Sequence, residues 1–166
     1  MGEASRTSSR RGLLGRALVL AAGAVGLQAG AADAAAVPAT LRLYGSGLHL
    51  HSRSRRPGQV PEKGERFTGY AQLSDSPGGR VVGHFTSAFL AVDSPFGGGG
   101  SQELHTFTFD DGTLLGLGLA ADGPGEFAIV GGTGRFRGAR GWYVALQQPR
   151  ELGGDGTAEF HLTLAR

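Results

Sequence analysis

No cysteine occurs in the 166-residue chain, which excludes a disulfide framework, thiolate metal sites and a cysteine nucleophile. Asparagine is absent too, and lysine occurs once, at Lys63; without asparagine there is no N-glycosylation site. An excess of basic charge is also lacking where a folded domain would carry it. Arg6, Arg10, Arg11 and Arg16 stand against Glu3 and Asp33 in the first 36 residues, and from Val37 onward there are twelve basic and twelve acidic residues. A near-neutral remainder gives no electrostatic argument for nucleic acid or for an anionic membrane surface. The apolar stretch from Ala17 to Leu27 falls short of the roughly 20 residues that a membrane-spanning helix needs. No helical periodicity follows it.

What the chain does have begins with its leader. Ser9-Arg10-Arg11-Gly12-Leu13-Leu14 fits the twin-arginine export pattern, a mild Ala/Gly-rich apolar stretch follows, and Ala32-Asp33-Ala34 or Ala34-Ala35-Ala36 has the small-x-small form of a cleavage site. Residues 1–36 are therefore expected to be a signal peptide recognised by the twin-arginine machinery. The protein would be secreted, with no stable membrane anchor, and residues 37–166 would form the domain. A domain of about 130 residues buries roughly two-thirds of its unfolded surface and needs no staple.

From Thr40 the pattern is strand, turn, strand. Strands are expected at 40–51, 65–74, 80–92, 102–109, 113–120, 126–130, 139–146 and 157–164, with turn chemistry at Asp75-Ser76-Pro77-Gly78-Gly79, Asp110-Asp111-Gly112 and Asp122-Gly123-Pro124-Gly125. Ser52–Gly64 and Ser94–Gly100 read as loops. In the first strand, Leu41, Leu43, Gly45, Gly47, His49 and His51 fall on one face by simple alternation. Eight short strands predict an all-β sandwich or an antiparallel barrel, and eight strands close around an interior wide enough for side chains or one small ligand.

Gly131, Gly132, Gly134, Gly138 and Gly141 crowd the segment after the sixth strand. A dinucleotide fingerprint needs G-x-G-x-x-G between a strand and a helix. Here Gly132-x-Gly134-x-x-x-Gly138 has the wrong spacing, and Trp142-Tyr143-Val144-Ala145-Leu146 reads as a strand. The glycines instead suit a tight strand-to-strand connection. The segment Phe127-Ala-Ile-Val-Gly-Gly-Thr-Gly-Arg-Phe-Arg-Gly-Ala-Arg-Gly141 resembles the signature of the dirigent and allene oxide cyclase barrel-like proteins. Leu41-Arg42-Leu43-Tyr44, Gly64-Glu65-Arg66-Phe67, Gly78-Gly79-Arg80-Val81-Val82-Gly83 and Phe107-Thr108-Phe109-Asp110-Asp111-Gly112-Thr113-Leu114 resemble its other strands in order. The resemblance implies an eight-stranded antiparallel barrel of the calycin type, a dimer or trimer, and a small hydrophobic or phenolic ligand whose coupling or cyclisation is guided without a cofactor. A carrier or a structural oligomer is the alternative. Plant dirigent proteins carry a His-Asp pair soon after the Tyr, where Tyr44 is followed here by Gly45-Ser46-Gly47.

Tyr44, His84, His105, Arg140, Trp142 and Tyr143 are the candidate ligand-binding side chains. Trp142 and Tyr143 must face opposite sides of their strand, so one of them can enter a barrel. Arg140 could hold the Gly-rich connection or serve as a pocket cation. Glu103, His105 and Phe107 share a face, as do Glu159, His161 and Thr163; alternation leaves open which set lines a cavity and which meets solvent. His49 and His51, about 7 Å apart along a strand, could be half of a metal site or two solvated histidines. A third ligand could come from His84 or His105, but nothing in the sequence places either nearby, and no metal is assigned.

Overall fold

The computed structural model describes residues 40–52, 62–93, 99–121, 123–149 and 155–165. The expected signal peptide and its cleavage site lie outside them, as do most of the first loop, residues 94–98 and Asp122. Eight strands follow one another: β1 (Thr40–His51), β2 (Arg66–Ser74), β3 (Val81–Asp93), β4 (Gly99–Phe109), β5 (Gly112–Ala120), β6 (Gly125–Gly132), β7 (Arg140–Gln148) and β8 (Gly156–Ala165), with one turn of 3-10 helix at Gly134–Phe136. Each strand pairs antiparallel with the next, and β8 returns to β1, from Thr40 opposite Thr163 to Leu48 opposite Gly156, so that the sheet is a closed barrel. Closure removes the unpaired edges on which other sheets aggregate.

Alternation decides what fills the barrel. Phe67, Ala71 and Leu73 of β2, and Ala158, Phe160, Leu162 and Leu164 of β8, are buried, while their neighbours along the strand face outward, except Ser74, which is buried at the end of β2. Phe85 on β3, Phe107 on β4 and Phe160 on β8 meet at the centre with ring centroids 4.7–5.4 Å apart. Burying each such side chain contributes about 1.5–3 kcal/mol. Together with Leu43, Leu73, Leu114 and Leu162 they form one continuous core.

The two ends of the barrel differ. At the end where β2 meets β3, β4 meets β5 and β6 meets β7, the Gly-rich connection folds back over the opening. Phe136 is buried there against Phe109, with centroids 5.2 Å apart. The Arg135 guanidinium lies 4.6 Å over the Phe136 ring and pairs with Asp111 at 3.1 Å. The backbone is tied by Thr133 N–H to Thr113 O at 2.9 Å and Arg135 N–H to Asp111 O at 3.1 Å. Gly134 has φ +58°, and a side chain there would overlap the Asp111 carbonyl oxygen; only glycine combines that dihedral with that approach. The Gly-rich segment is thus a plug closing one end.

Two local expectations change. Gly99 and Gly100 extend β4 because they pair with Asp93 and Val92, although glycine runs read as loop. Simple alternation fails in β1, where the register shifts after Ser46 against both neighbouring strands and Gly47 takes φ +66°. This bulge turns Leu48 into the core and leaves His49 and His51 off the face that Leu43 occupies; bulges re-aim side chains in this way.

Candidate functional site

Away from the plug, β4 and β7 carry polar residues on their inner faces. Ser101, Glu103 and His105 follow one another on the inside of β4, above Phe107 and Phe109. On β7, Tyr143, Ala145 and Gln147 point inward. Barrel closure brings these two strands' side chains together across β5 and β6.

His105 is fully buried. Its Nε2 lies 2.6 Å from Glu103 Oε2 and its Nδ1 lies 2.8 Å from the Tyr143 hydroxyl. The pairing that gives every hydrogen an acceptor has Nε2–H donating to the carboxylate and the Tyr143 O–H donating to Nδ1; the tautomer is assigned from these partners. Glu103 also accepts from Ser101 Oγ at 2.5 Å on Oε1 and from Gln147 Nε2 at 2.8 Å on Oε2. A carboxylate, an imidazole and a phenol therefore form one hydrogen-bonded line inside the barrel.

The line is held by aromatic packing. The Tyr143 ring stacks on Phe127 with centroids 5.1 Å apart and planes 12° from parallel, and the His105 ring lies 4.4 Å from Phe127 and 4.9 Å edge-on from Phe85. Room for the Tyr143 hydroxyl comes from Gly116 on β5, directly opposite His105. A Cβ there would overlap the hydroxyl and lie 2.5 Å from Cε1 of the ring.

Burial alone would raise the Glu103 carboxyl, but the hydrogen bond from His105 and those from Ser101 and Gln147 outweigh it, and the group is held below the usual carboxylate range. Burial, helped by the Glu103 charge, pushes the Tyr143 phenol far up. At neutral pH Glu103 is an ionised acceptor and Tyr143 a fixed donor.

Small residues line the barrel next to this line. Gly69, Ser87, Gly45, Ala71 and Ala158 are inward, and a Cβ on Gly45 would crowd those of Ala158 and Ala71 at 3.1 and 3.3 Å. Nearer the end opposite the plug, Phe67 and Phe89 stack with centroids 5.6 Å apart.

Of the residues singled out in the sequence, His105 and Tyr143 meet inside the barrel. Tyr44, His84, Arg140 and Trp142 are on the outer surface. His84 stacks there on Tyr70 at 6.1 Å, which in turn lies 5.7 Å from His49. Arg140 is exposed, with its guanidinium donating to Ala139 O at 2.8 Å. Trp142 is 47% exposed and stands in an outward row with Ala128, Leu117, Leu104 and Ala88, each directly opposite the next. Gly131 and Gly132 end β6, while Gly134, Gly138 and Gly141 take positive φ. Glu159 and His161 face outward, bonded to each other at 2.5 Å. The residues that sequence reasoning did not single out are Ser101, Gln147, Ser87 and Gly116. Ser101 continues the Glu103-x-His105 alternation by one step, which is a usable signal; the other three become visible only through the register of neighbouring strands.

No protein-family model matches the chain, and no curated protein sequence does. Solved structures share its fold. A pterocarpan synthase dirigent protein superposes with a TM-score of 0.61 at 23% identity, covering 75% of this chain and 92% of its own. A pyocyanin demethylase gives 0.57 at 21% identity over 76% and 99%. A Diels Alderase from Streptomyces koyangensis gives 0.55 at 17% identity over 80% and 72%. At these identities the likeness is one of fold, and the fold is a dirigent-like barrel.

Proposed function

We propose that this dirigent-type barrel receives one small, largely apolar or phenolic molecule through the end opposite the plug and guides that molecule's coupling or cyclisation. The observation that carries the reading is the Glu103–His105–Tyr143 line, buried among aromatic rings inside the barrel. A polar line of this kind is unnecessary for packing, since apolar side chains of similar volume would fill the space without desolvating a carboxylate. It suits a cavity that fixes the orientation of a ligand by a few polar groups in an apolar wall. The names of the solved neighbours, a dirigent pterocarpan synthase and a Diels Alderase, agree with chemistry in which a barrel steers a reactive molecule.

The acceleration in such chemistry comes from confinement. Holding a flexible intermediate in one conformation removes the entropy of finding it and closes competing routes. The apolar wall also excludes water that would quench the intermediate. The Tyr143 hydroxyl, which stays protonated and donates to His105 Nδ1, and the Glu103 carboxylate on Nε2 together hold the imidazole in one orientation, so that the line presents a fixed polar edge to a molecule in the barrel.

Two further readings belong to this proposal. The outward row of Ala88, Leu104, Leu117, Ala128 and Trp142 supports assembly with other copies of the chain, because contiguous exposed apolar surface marks contact sites. The leader, with Arg10 and Arg11, supports export by the twin-arginine route and a secreted protein.

The test is to add the purified protein to an oxidase and a panel of simple phenols and resolve the coupled products on a chiral column. An excess of one stereoisomer, absent with the oxidase alone, is expected. Racemic product throughout, with native mass spectrometry showing no small molecule retained by the protein from its own culture, would overturn the reading.

A further inference from the structure

Two features of the inner face are left over by the packing of the barrel. Ser87 is 4% exposed, and its hydroxyl has no hydrogen-bond partner among the described residues. A buried hydroxyl without a partner is rare and asks for a reason. Ser87 stands on the inside of β3 opposite His105, and its Oγ occupies the space that Gly69 leaves open on β2. The second feature is Glu103. A carboxylate has about four acceptor sites, and three are used, by Ser101, His105 and Gln147. Oε1 takes only the Ser101 bond among the described residues and keeps one site open.

Charge sets what can approach. Among the described residues, Arg42, Arg66, Arg80, Arg137 and Arg140 are exposed, and Arg135 is engaged with Asp111 at the plugged end. An incoming anion would meet the Glu103 carboxylate itself in a low-dielectric wall, where like charges repel strongly. A hydroxyl meets the opposite situation, an open acceptor on Glu103 and an unused donor on Ser87. Ser87 and Glu103 are diagonal neighbours on β3 and β4, since Glu103 stands opposite Phe89, and such Cα atoms are about 7–8 Å apart. The polar end of one small molecule can reach both, with its ring against Phe67 and Phe89.

We propose that Glu103 and Ser87 form the polar recognition point of the barrel, taking a ligand whose inward end is an alcohol or phenol hydroxyl on an aromatic frame and rejecting one that ends in a carboxylate. This rests on the reading that the barrel holds a small molecule, and it narrows the class of that molecule. The ligand hydroxyl donates to Glu103 Oε1 and accepts from Ser87 Oγ.

The experiment is calorimetric titration of the purified protein with two probes on one frame, 2-naphthalenemethanol and 2-naphthoate. The alcohol is expected to bind at least about tenfold more tightly, the factor a single charge-assisted hydrogen bond supplies. Glu103→Gln removes the repulsion and should bring the two probes within about threefold of each other. Ser87→Ala removes a hydroxyl that bonds nothing in the described structure, leaves the fold intact, and should weaken the alcohol severalfold without affecting naphthoate. Circular dichroism melts establish that both variants are folded. Equal or tighter binding of naphthoate, or a ratio unchanged in Glu103→Gln, overturns the proposal while leaving a small-molecule barrel standing. If neither probe binds at millimolar concentration, the small-molecule reading itself fails and takes this one with it.

Discussion

Gly116→Ala sets two effects of opposite sign against each other. Gly116 sits in the middle of β5, where an alanine would ordinarily stabilise by about 0.4–1 kcal/mol through the unfolded chain. Its Cβ, however, would overlap the Tyr143 hydroxyl and stand 2.5 and 2.6 Å from Cε1 and Cζ of the ring. That ring is completely buried and stacked 5.1 Å from Phe127, so it has nowhere to retreat without repacking. Overpacking of this kind costs about 1–3 kcal/mol. Displacing the hydroxyl from His105 removes a buried hydrogen bond worth about another 1 kcal/mol. The balance is a net destabilisation of roughly 1–3 kcal/mol, or a fall in Tm of about 4–10 °C for a domain of this size. Gly131→Ala is the matched control. Its Cβ would meet only the flexible Arg140 guanidinium, at 3.9 Å, and the change should be neutral or stabilising by up to about 0.5 kcal/mol. Urea midpoints of the two variants, measured side by side, decide the matter. A Gly116→Ala protein as stable as the parent would refute the placement of Tyr143 against β5, and with it the hydrogen-bonded line through His105.

Three other predictions follow from the same packing. Phe136→Ala should destabilise by about 3–5 kcal/mol in urea unfolding, because the ring is 1% exposed and closes the end of the core; a loss below about 1 kcal/mol would mean that the plug contributes little. Hydrogen bonds from His105, Ser101 and Gln147 outweigh burial and hold the Glu103 carboxyl below the usual carboxylate range in the folded protein, so its contribution is present above that ordinary range and is lost as pH falls through the lower folded value. Thermal melts from pH 6 down to about pH 3 should therefore show a steeper acid loss in the parent than in Glu103→Gln, and parallel curves would contradict the environment assigned to the carboxylate. Trp142→Glu places a charge in the outward apolar row, and sedimentation equilibrium should show a smaller assembly than the parent with an unchanged Tm; a parent that sediments as a monomer would sink the assembly reading.

Much of the barrel was legible because strands half-buried in a closed sheet write their alternation into the sequence. The last strand shows it plainly, with Phe160, Leu162 and Leu164 inside and Glu159, His161 and Thr163 outside. The same alternation put Glu103 and His105 on one face, yet could not say that the face is the interior. Phe107 on that face was compatible with either answer, and the choice depends on which curvature the whole sheet adopts. Tyr143 joins them from 38 positions away, a contact that no local pattern encodes. The expectation for β1 failed at a bulge, because one inserted residue at Gly47 inverts every face beyond it. Tyr44, His84 and Trp142 drew attention as chemistry-bearing residues, and the structure gives them to the outer surface, where side-chain type alone carries no information about orientation.

The seam between β1 and β8 fixes when this molecule can exist during its own synthesis. Thr40 pairs with Thr163, so the first strand to leave the ribosome must wait for the last. Until then β1 and the growing end of the sheet are open edges, and contacts of such long separation form slowly. A chain truncated anywhere before residue 156 would lack the strand that shuts the barrel and would leave the inner face of β4, with Glu103 and His105, in water. Closure of the barrel around the polar line is therefore among the last events of folding.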